Sequence, residues 1–327
     1  MTLILSRSDV LDLLSLPECI DAVERAFYLH AEGRTLGPGV LSVPAAGGGF
    51  HIKAAGLVGE RSYFAAKTNA NFSENPRRWG LPTIQGMIVL ADAGNGTPLA
   101  VIESGSVTAL RTGAATAVAA QFLARPDART ATIVGCGVQG EIQLAAITTV
   151  LPLQRVMLLD TDHARAEGLA ARAAVKNGVR LEAAKDLRAA LRASDVCVTC
   201  TTSRRAFLQK NDVVPGTFIA AVGADNPEKQ ELEPALLASA TLVVDVLDQC
   251  AEIGELHHAL AANLLRREQI HAELAEVVAG RRPGRTRRDE ITIFDSSGTA
   301  LQDVAAAIAV YEKARAMGRG TKVTLDA

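Results

Sequence analysis

Apolar positions recur along this chain with two different rhythms, and the change between them divides it. Near the start, Ser15-Leu16-Pro17-Glu18 reads as a helix N-terminus, with Ser as the cap, Pro in the first turn and Glu reaching back to the cap. Ile20, Val23, Ala26 and Phe27 follow at helical spacing, and Gly33 closes the helix near residue 32. From residue 37 to 100 the texture changes to short apolar runs broken by Gly, Pro and Asn. Residues 63–67, 83–90 and 98–102 are predicted strands, with a turn over residues 92–96 whose Asn95-Gly96 pair tolerates positive φ. These imply a small, largely antiparallel sheet. An Ala-rich helix follows over about 108–123 and stops before Pro126.

From residue 130 the rhythm alternates. Strand-like runs at 131–134, 156–159, 196–200, 218–222 and 242–246 are mostly separated by amphipathic helical segments, which predicts a parallel, doubly wound sheet. Residues 281–288, rich in Arg and interrupted by Pro283 and Gly284, read as an exposed loop. Residues 290–294 read as the last strand, and a helix over 300–317 ends in Gly318-Arg319-Gly320. The expected fold class is α/β: a Rossmann-type doubly wound parallel sheet plus a smaller α+β domain.

Composition sharpens this picture. At 327 residues the chain exceeds what one core usually organises, so two domains are expected. The 34 basic and 36 acidic residues nearly cancel, which leaves no electrostatic footprint for nucleic acid or an anionic membrane. No apolar run approaches the ~20 residues of a membrane helix. Residues 1–10 are interrupted by Arg7 and Asp9 and hold no secretion-signal core. The five cysteines form no disulfide framework. A cytoplasmic location is expected.

Gly135-Cys136-Gly137-Val138-Gln139-Gly140 matches the dinucleotide pattern G-x-G-x-x-G in the context that its mechanism requires. It follows a predicted strand, opens a helix, and is followed by Asp160 at the end of the next strand. Gly135 permits the tight turn, Gly137 lets backbone approach a pyrophosphate, and Gly140 allows close helix–strand packing. The helix start offers N–H groups to phosphate. A carboxylate at Asp160 would accept from ribose hydroxyls and repel a 2′-phosphate, and Thr161-Asp162 keeps the locale acidic. NAD(H) is therefore expected rather than NADP(H).

With this fingerprint in place, six segments in order carry a wider resemblance. They are Ala66-Lys67; Gly80-Leu81-Pro82-Thr83-Ile84-Gln85-Gly86; Thr108-Ala109-Leu110-Arg111-Thr112-Gly113-Ala114-Ala115; the glycine loop with Val134; Val222-Gly223-Ala224-Asp225 with Lys229 and Glu231-Leu232; and Phe294-Asp295-Ser296-Ser297-Gly298-Thr299-Ala300 with Asp303. Over nearly its whole length the chain resembles the ornithine cyclodeaminase/μ-crystallin family. The resemblance implies a substrate-binding and dimerisation domain over 1–120, completed by 300–327, with a Rossmann domain over 121–299 inserted. It implies a homodimer built through the small sheet, and reactions that pass through an imine by hydride exchange at the α-carbon. The family includes cyclodeaminases, amino-acid dehydrogenases and ketimine reductases.

The resemblance makes Lys67 and Arg111 the carboxylate-binding pair, a role that suits a bidentate guanidinium and a mobile ammonium. Asp225, just past a predicted strand, takes the place of the acid/base carboxylate. Thr83, Arg111 and Ser297-Gly298 match positions near the cofactor. Two departures stand out. The additional Arg that cyclodeaminases carry ahead of the second strand has no counterpart in residues 36–44. His51 and Lys53, on one face by strand alternation, replace the Glu and Met found there. A nearby Lys would repel the distal ammonium of ornithine, so the expected substrate lacks one and carries, in one version of this reading, a second carboxylate.

The expected protein is an NAD(H)-dependent oxidoreductase acting at the C–N bond of a small α-amino or α-imino acid. The alternatives are a cyclodeaminase that uses NAD without net redox, and a nucleotide-binding protein without turnover. No metal site is expected: Cys197 and Cys200 read as core residues despite their spacing, and His257-His258, adjacent on a helix, cannot share one ion.

Overall fold

The computed structural model describes residues 1–173 and 178–325. The expected domains over 121–299 and 300–327 each include a few residues outside that description. The chain divides into two compact units, one formed by Met1–Arg111 with Thr299–Ala327 and the other by Thr112–Gly298. The division falls between Arg111 and Thr112, inside the long helix Ser104–Leu123 that also holds the expected boundary.

In the first unit a seven-stranded sheet runs in the order Thr321–Val323, Thr2–Leu5, Pro98–Glu103, Ile84–Asp92, Tyr63–Asn71, Gly48–Leu57, Thr35–Ala45. All neighbours are antiparallel except Thr2–Leu5 with Pro98–Glu103. The last strand is therefore Thr321–Val323 and not residues 290–294; it follows the C-terminal helix and closes back on the chain's first strand. The hairpin Thr35–Leu57 is longer than its Gly- and Pro-broken sequence suggests. The helix Leu16–Ala31 has the capping box read from its sequence, with Ser15 and Glu18 bonded reciprocally.

The helix Ala300–Met317 packs across the face of this sheet that carries Lys53 and Lys67. It is buried on nearly every side rather than along one stripe, which its run of alanines permits. On the opposite face, strand alternation and register bring Leu41, Val43, Phe50, Phe64, Met87 and Val89 together, and all six are exposed.

In the second unit eight strands are parallel throughout, in the order Ala272–Glu273, Thr241–Val244, Thr292–Asp295, Phe218–Ala221, Val196–Thr199, Thr130–Val134, Arg155–Leu159, Arg180–Ala183. The chain leaves Thr130–Val134 on one side and returns with Val196–Thr199 on the other. Parallel sheets of this kind bind ligands at that reversal, outside the strands' carboxyl ends. The helix after the glycine loop, Val138–Val150, is apolar around most of its circumference, as burial against a sheet allows, and not amphipathic.

The Arg-rich stretch 281–288 is only partly the solvated loop expected. Arg285 is held by the carbonyls of Leu123, Glu290 and Thr217 and by Thr292 Oγ1, so it clamps the end of the long helix to the sheet.

Candidate active site

In the first unit, adjacent strands place Lys53 directly across from Lys67. Both are buried, as is Arg111. Asp303, from the helix over that face, meets Lys67 Nζ at 2.7 Å through Oδ2 and Arg111 Nε at 3.0 Å through Oδ1. Arg111 also donates to Gln302 Oε1 at 2.7 Å. Lys67 donates to Thr108 Oγ1 at 3.4 Å, and Asn69 accepts from Ser104 at 2.6 Å. Asp303 was visible in the sequence only as part of a motif. Its pairing with two cations distant in the chain becomes evident only once the helix is folded onto the sheet. Glu103, a simple near neighbour for Arg111, instead caps the helix Ser104–Leu123 by accepting from Gly105 and Ser106 N–H.

The electrostatics follow from crowding. Burial, aided by the neighbouring Arg111 and Lys53, pushes Lys67 down to about 7 against the pull of Asp303. For Asp303, burial acts upward, but Lys67 and Arg111 together outweigh it and hold the carboxyl below its usual range. Because a guanidinium does not deprotonate, Lys67 rather than Arg111 is the group that yields a proton where the two share one carboxylate. His51 sits two residues from Lys53 on the same face, with Nδ1 at 3.1 Å from Ser42 Oγ. Thr83 precedes the strand Ile84–Asp92, and its carbonyl accepts from Phe72 N–H.

In the second unit the glycine loop occupies the strand reversal. Gly135 has φ 104°, and a Cβ there would stand 2.8 Å from Cys200 O. A Cβ on Gly140 would stand 2.0 Å from Gly135 O, whereas one on Gly137 would meet nothing within 4 Å. The first and third glycines are thus demanded by the protein's own packing, and the second faces open space at the helix start. There the first N–H groups have no intrahelical partner, and Gln139 Oε1 is buried without a hydrogen bond. Val138 projects outward. Asp160 accepts from Cys136 N–H at 2.9 Å and Asp162 N–H at 3.0 Å, which ties its carboxylate to the loop. These residues fit a dinucleotide: open backbone for a pyrophosphate and a fixed carboxylate for a ribose.

The chain belongs to the ornithine cyclodeaminase/mu-crystallin family. That family's model matches residues 1–318. Among solved structures, an archaeal alanine dehydrogenase dimer with bound NAD is 37% identical, with a TM-score of 0.94 over 99% of each chain. The Delta(1)-pyrroline-2-carboxylate reductase of Thermococcus litoralis, in complex with NADH and L-proline, is 34% identical, with a TM-score of 0.94 over 98% of this chain and 100% of that one. The iminosuccinate reductase of Paracoccus denitrificans, in complex with NAD+, is 31% identical, with a TM-score of 0.89 over 99% of each.

Asp225 lies beyond the strand Phe218–Ala221, half-exposed, with Oδ1 at 2.7 Å from Lys229 Nζ and 3.1 Å from Asn226 Nδ2. Ser297 and Gly298 follow the strand Thr292–Asp295. Ser297 Oγ donates to Asp245 Oδ1 at 2.7 Å and Gly298 N–H to Asp245 Oδ2 at 2.6 Å, so the turn is built around a buried carboxylate. Cys197 is buried in its strand, and Cys200 Sγ lies against the carbonyls of Val134 and Gly135. His257 and His258 face separate carbonyls, those of Ala251 and Lys229. Among the described residues no group of His, Cys, Asp and Glu is arranged to hold a metal, and no helix is long and apolar enough to cross a membrane.

Proposed function

We propose that the protein is an NAD(H)-dependent oxidoreductase acting at the C–N bond of a small α-amino or α-imino acid. Bound nicotinamide would supply or accept the hydride. Gly135, Gly137, Val138, Gln139 and Gly140 hold the pyrophosphate in this reading, Asp160 the ribose, and Thr83, Arg111, Ser297 and Gly298 adjoin the cofactor. The observation that carries the substrate class is the buried cluster of Lys53, Lys67 and Arg111 around Asp303. Such a cluster suits a second carboxylate, that of the substrate.

Lys67 and Arg111 grip the substrate carboxylate, and Lys67, held near neutrality, moves a proton at low cost. Asp225 takes a proton from the substrate amine in the oxidative direction and returns it in the reductive one. Lys53 and His51 select a substrate without a distal ammonium. This reading is supported by the likeness to three NAD- or NADH-bound relatives whose names are those of a dehydrogenase and two imine reductases. The exposed apolar sheet face of Leu41, Val43, Phe50, Phe64, Met87 and Val89 supports a homodimer formed through it.

The test is consumption of NADH by purified protein offered ammonia with a panel of 2-oxo acids and, separately, cyclic imino acids. Turnover with one class, lost in Lys67→Ala, is expected. Proline formed from ornithine with no net change in NADH would overturn the reading in favour of a cyclodeaminase.

A further inference from the structure

The segment that bears Asp225 is fixed at both ends by buried carboxylates that the proposed reaction does not use. Glu231 Oε2 accepts from Gly223 N–H at 2.9 Å and from Thr199 Oγ1 at 2.7 Å, and its Oε1 accepts from Thr201 N–H at 2.6 Å. One side chain thus clasps the loops that follow two neighbouring strands, two residues ahead of Asp225. At the other end, the N–H groups of Glu231 and Leu232 donate to Glu255 Oε1 at 2.7 Å and Oε2 at 3.1 Å. Glu255 and Leu256 N–H donate in turn to Asp295 Oδ1 at 3.1 Å and Oδ2 at 2.9 Å. All three side chains are buried.

The packing leaves no slack. A Cβ on Gly223 would stand 2.4 Å from the Glu231 carboxyl, and one on Gly254 would stand 2.6 Å from that of Asp295. Burying three carboxylates costs stability that apolar side chains of similar size would not cost. Burial raises all three, and Glu255 also faces Glu231 and Asp295, which raise it further. The Glu231 and Asp295 carboxyls hold loops and a helix start, and the Glu255 carboxyl holds the short strand Gln230–Leu232 that ends the segment.

We propose that Glu231, backed by Glu255 and Asp295, is the positioning residue for Asp225. The stacked carboxylates fix the path of residues 222–231 and so set where Asp225, on its Lys229 partner, presents its carboxylate. This rests on the reading of Asp225 as the proton-carrying group.

The test is a double-mutant cycle on the full-length protein with cofactor and the substrate found by turnover. Glu231→Gln keeps the size and one acceptor oxygen. It is expected to lower kcat roughly 10- to 100-fold, the scale of a small misplacement, to leave the KM for cofactor unchanged and to shift the pH profile of kcat. In an Asp225→Asn background the same change is expected to add no further loss, because it acts only through Asp225. A Glu231→Gln enzyme with the wild-type rate and pH profile would overturn the proposal, as would a full additional loss in the Asp225→Asn background. An Asp225→Asn enzyme with wild-type turnover would instead overturn the reading of Asp225 itself. If Glu231→Gln does not fold, Thr199→Val removes one donor and leaves both backbone amides paired. A smaller fall in kcat, again absent beside Asp225→Asn, is then expected, and an unchanged kcat would overturn the proposal.

Discussion

Both units bury charge, and they compensate it in opposite ways. In the first, Lys53, Lys67 and Arg111 crowd around Asp303, so charge is balanced by charge. In the second, Glu231, Glu255 and Asp295 accept backbone N–H groups, so buried carboxyl oxygens are satisfied by dipoles that cannot leave. A carboxylate held by side-chain cations marks a place where another carboxylate can be received. A carboxylate filled by amides of the main chain is scaffold. In the proposed reaction the first kind meets substrate and the second kind holds Asp225 in place, a distinction that can be broken experimentally.

The largest effect belongs to Asp225. Changing it to Asn removes the proposed proton carrier and is expected to lower kcat about 10²- to 10⁴-fold with cofactor affinity kept, as titration of NADH fluorescence would check. Next comes Asp303→Asn, which takes from Lys67 and Arg111 the buried carboxylate they share. Breaking such a pair costs about 3–5 kcal/mol, read as a fall in Tm. A carboxylate substrate should recover more of that Tm in the variant than in the wild type, and equal recovery would mean that the cluster does not receive anions.

A smaller effect is carried by pH. Lys67 has its folded value near 7 against 10.5 for the free side chain, so the ammonium is lost as pH rises through neutrality. The KM for a carboxylate substrate should therefore rise above pH 7, by at most about tenfold per unit for a single proton. The affinity for NADH should stay flat. Lys67→Arg, which does not deprotonate, should remove the slope. For stability the sign is opposite to that of a lysine whose value its partner raises. The folded state binds fewer protons than the unfolded chain between 7 and 10.5, so the penalty of the buried ammonium is relieved across that window.

The smallest effect tests the scaffold. Asp295 is raised by burial from 3.8 to about 7, so the folded state keeps a proton that the unfolded chain has released. Its contribution to stability is present below 3.8 and declines as pH rises towards 7. Asp295→Asn should flatten the dependence of Tm on pH over that interval, at a cost of about 1 kcal/mol for one lost amide bond. An unchanged slope would mean that the carboxylate is ionised throughout.

The glycine loop, the helix caps and the alternation of the second unit were legible because each is set by local chemistry. Gly135 and Gly140 have no room for a Cβ, and Ser15 and Glu18 meet within one turn. Lys67, Arg111 and Asp225 were reached through the ordered motifs of a family, since a lone Lys or Asp carries no signal. The partners were not legible. Asp303 meets Lys67 and Arg111 only because a helix from the end of the chain lies on the first sheet. Glu231 and Glu255 look like surface residues in any hydropathy pattern, and they are buried because main-chain N–H groups from neighbouring segments converge on them. Arg285 was hidden in the same way, inside a stretch whose composition resembles a solvated loop.

Net hydride transfer to the α-carbon leaves an isotopic trace in the product. The enzyme would be given NADH carrying deuterium at both C4 positions, together with its imine-forming substrate, and the amino acid product would be weighed by mass spectrometry. Hydride transfer gives one deuterium per product at Cα, with NAD+ formed in equal amount. An unlabelled product, released with ammonia while NADH is left unchanged, would contradict it.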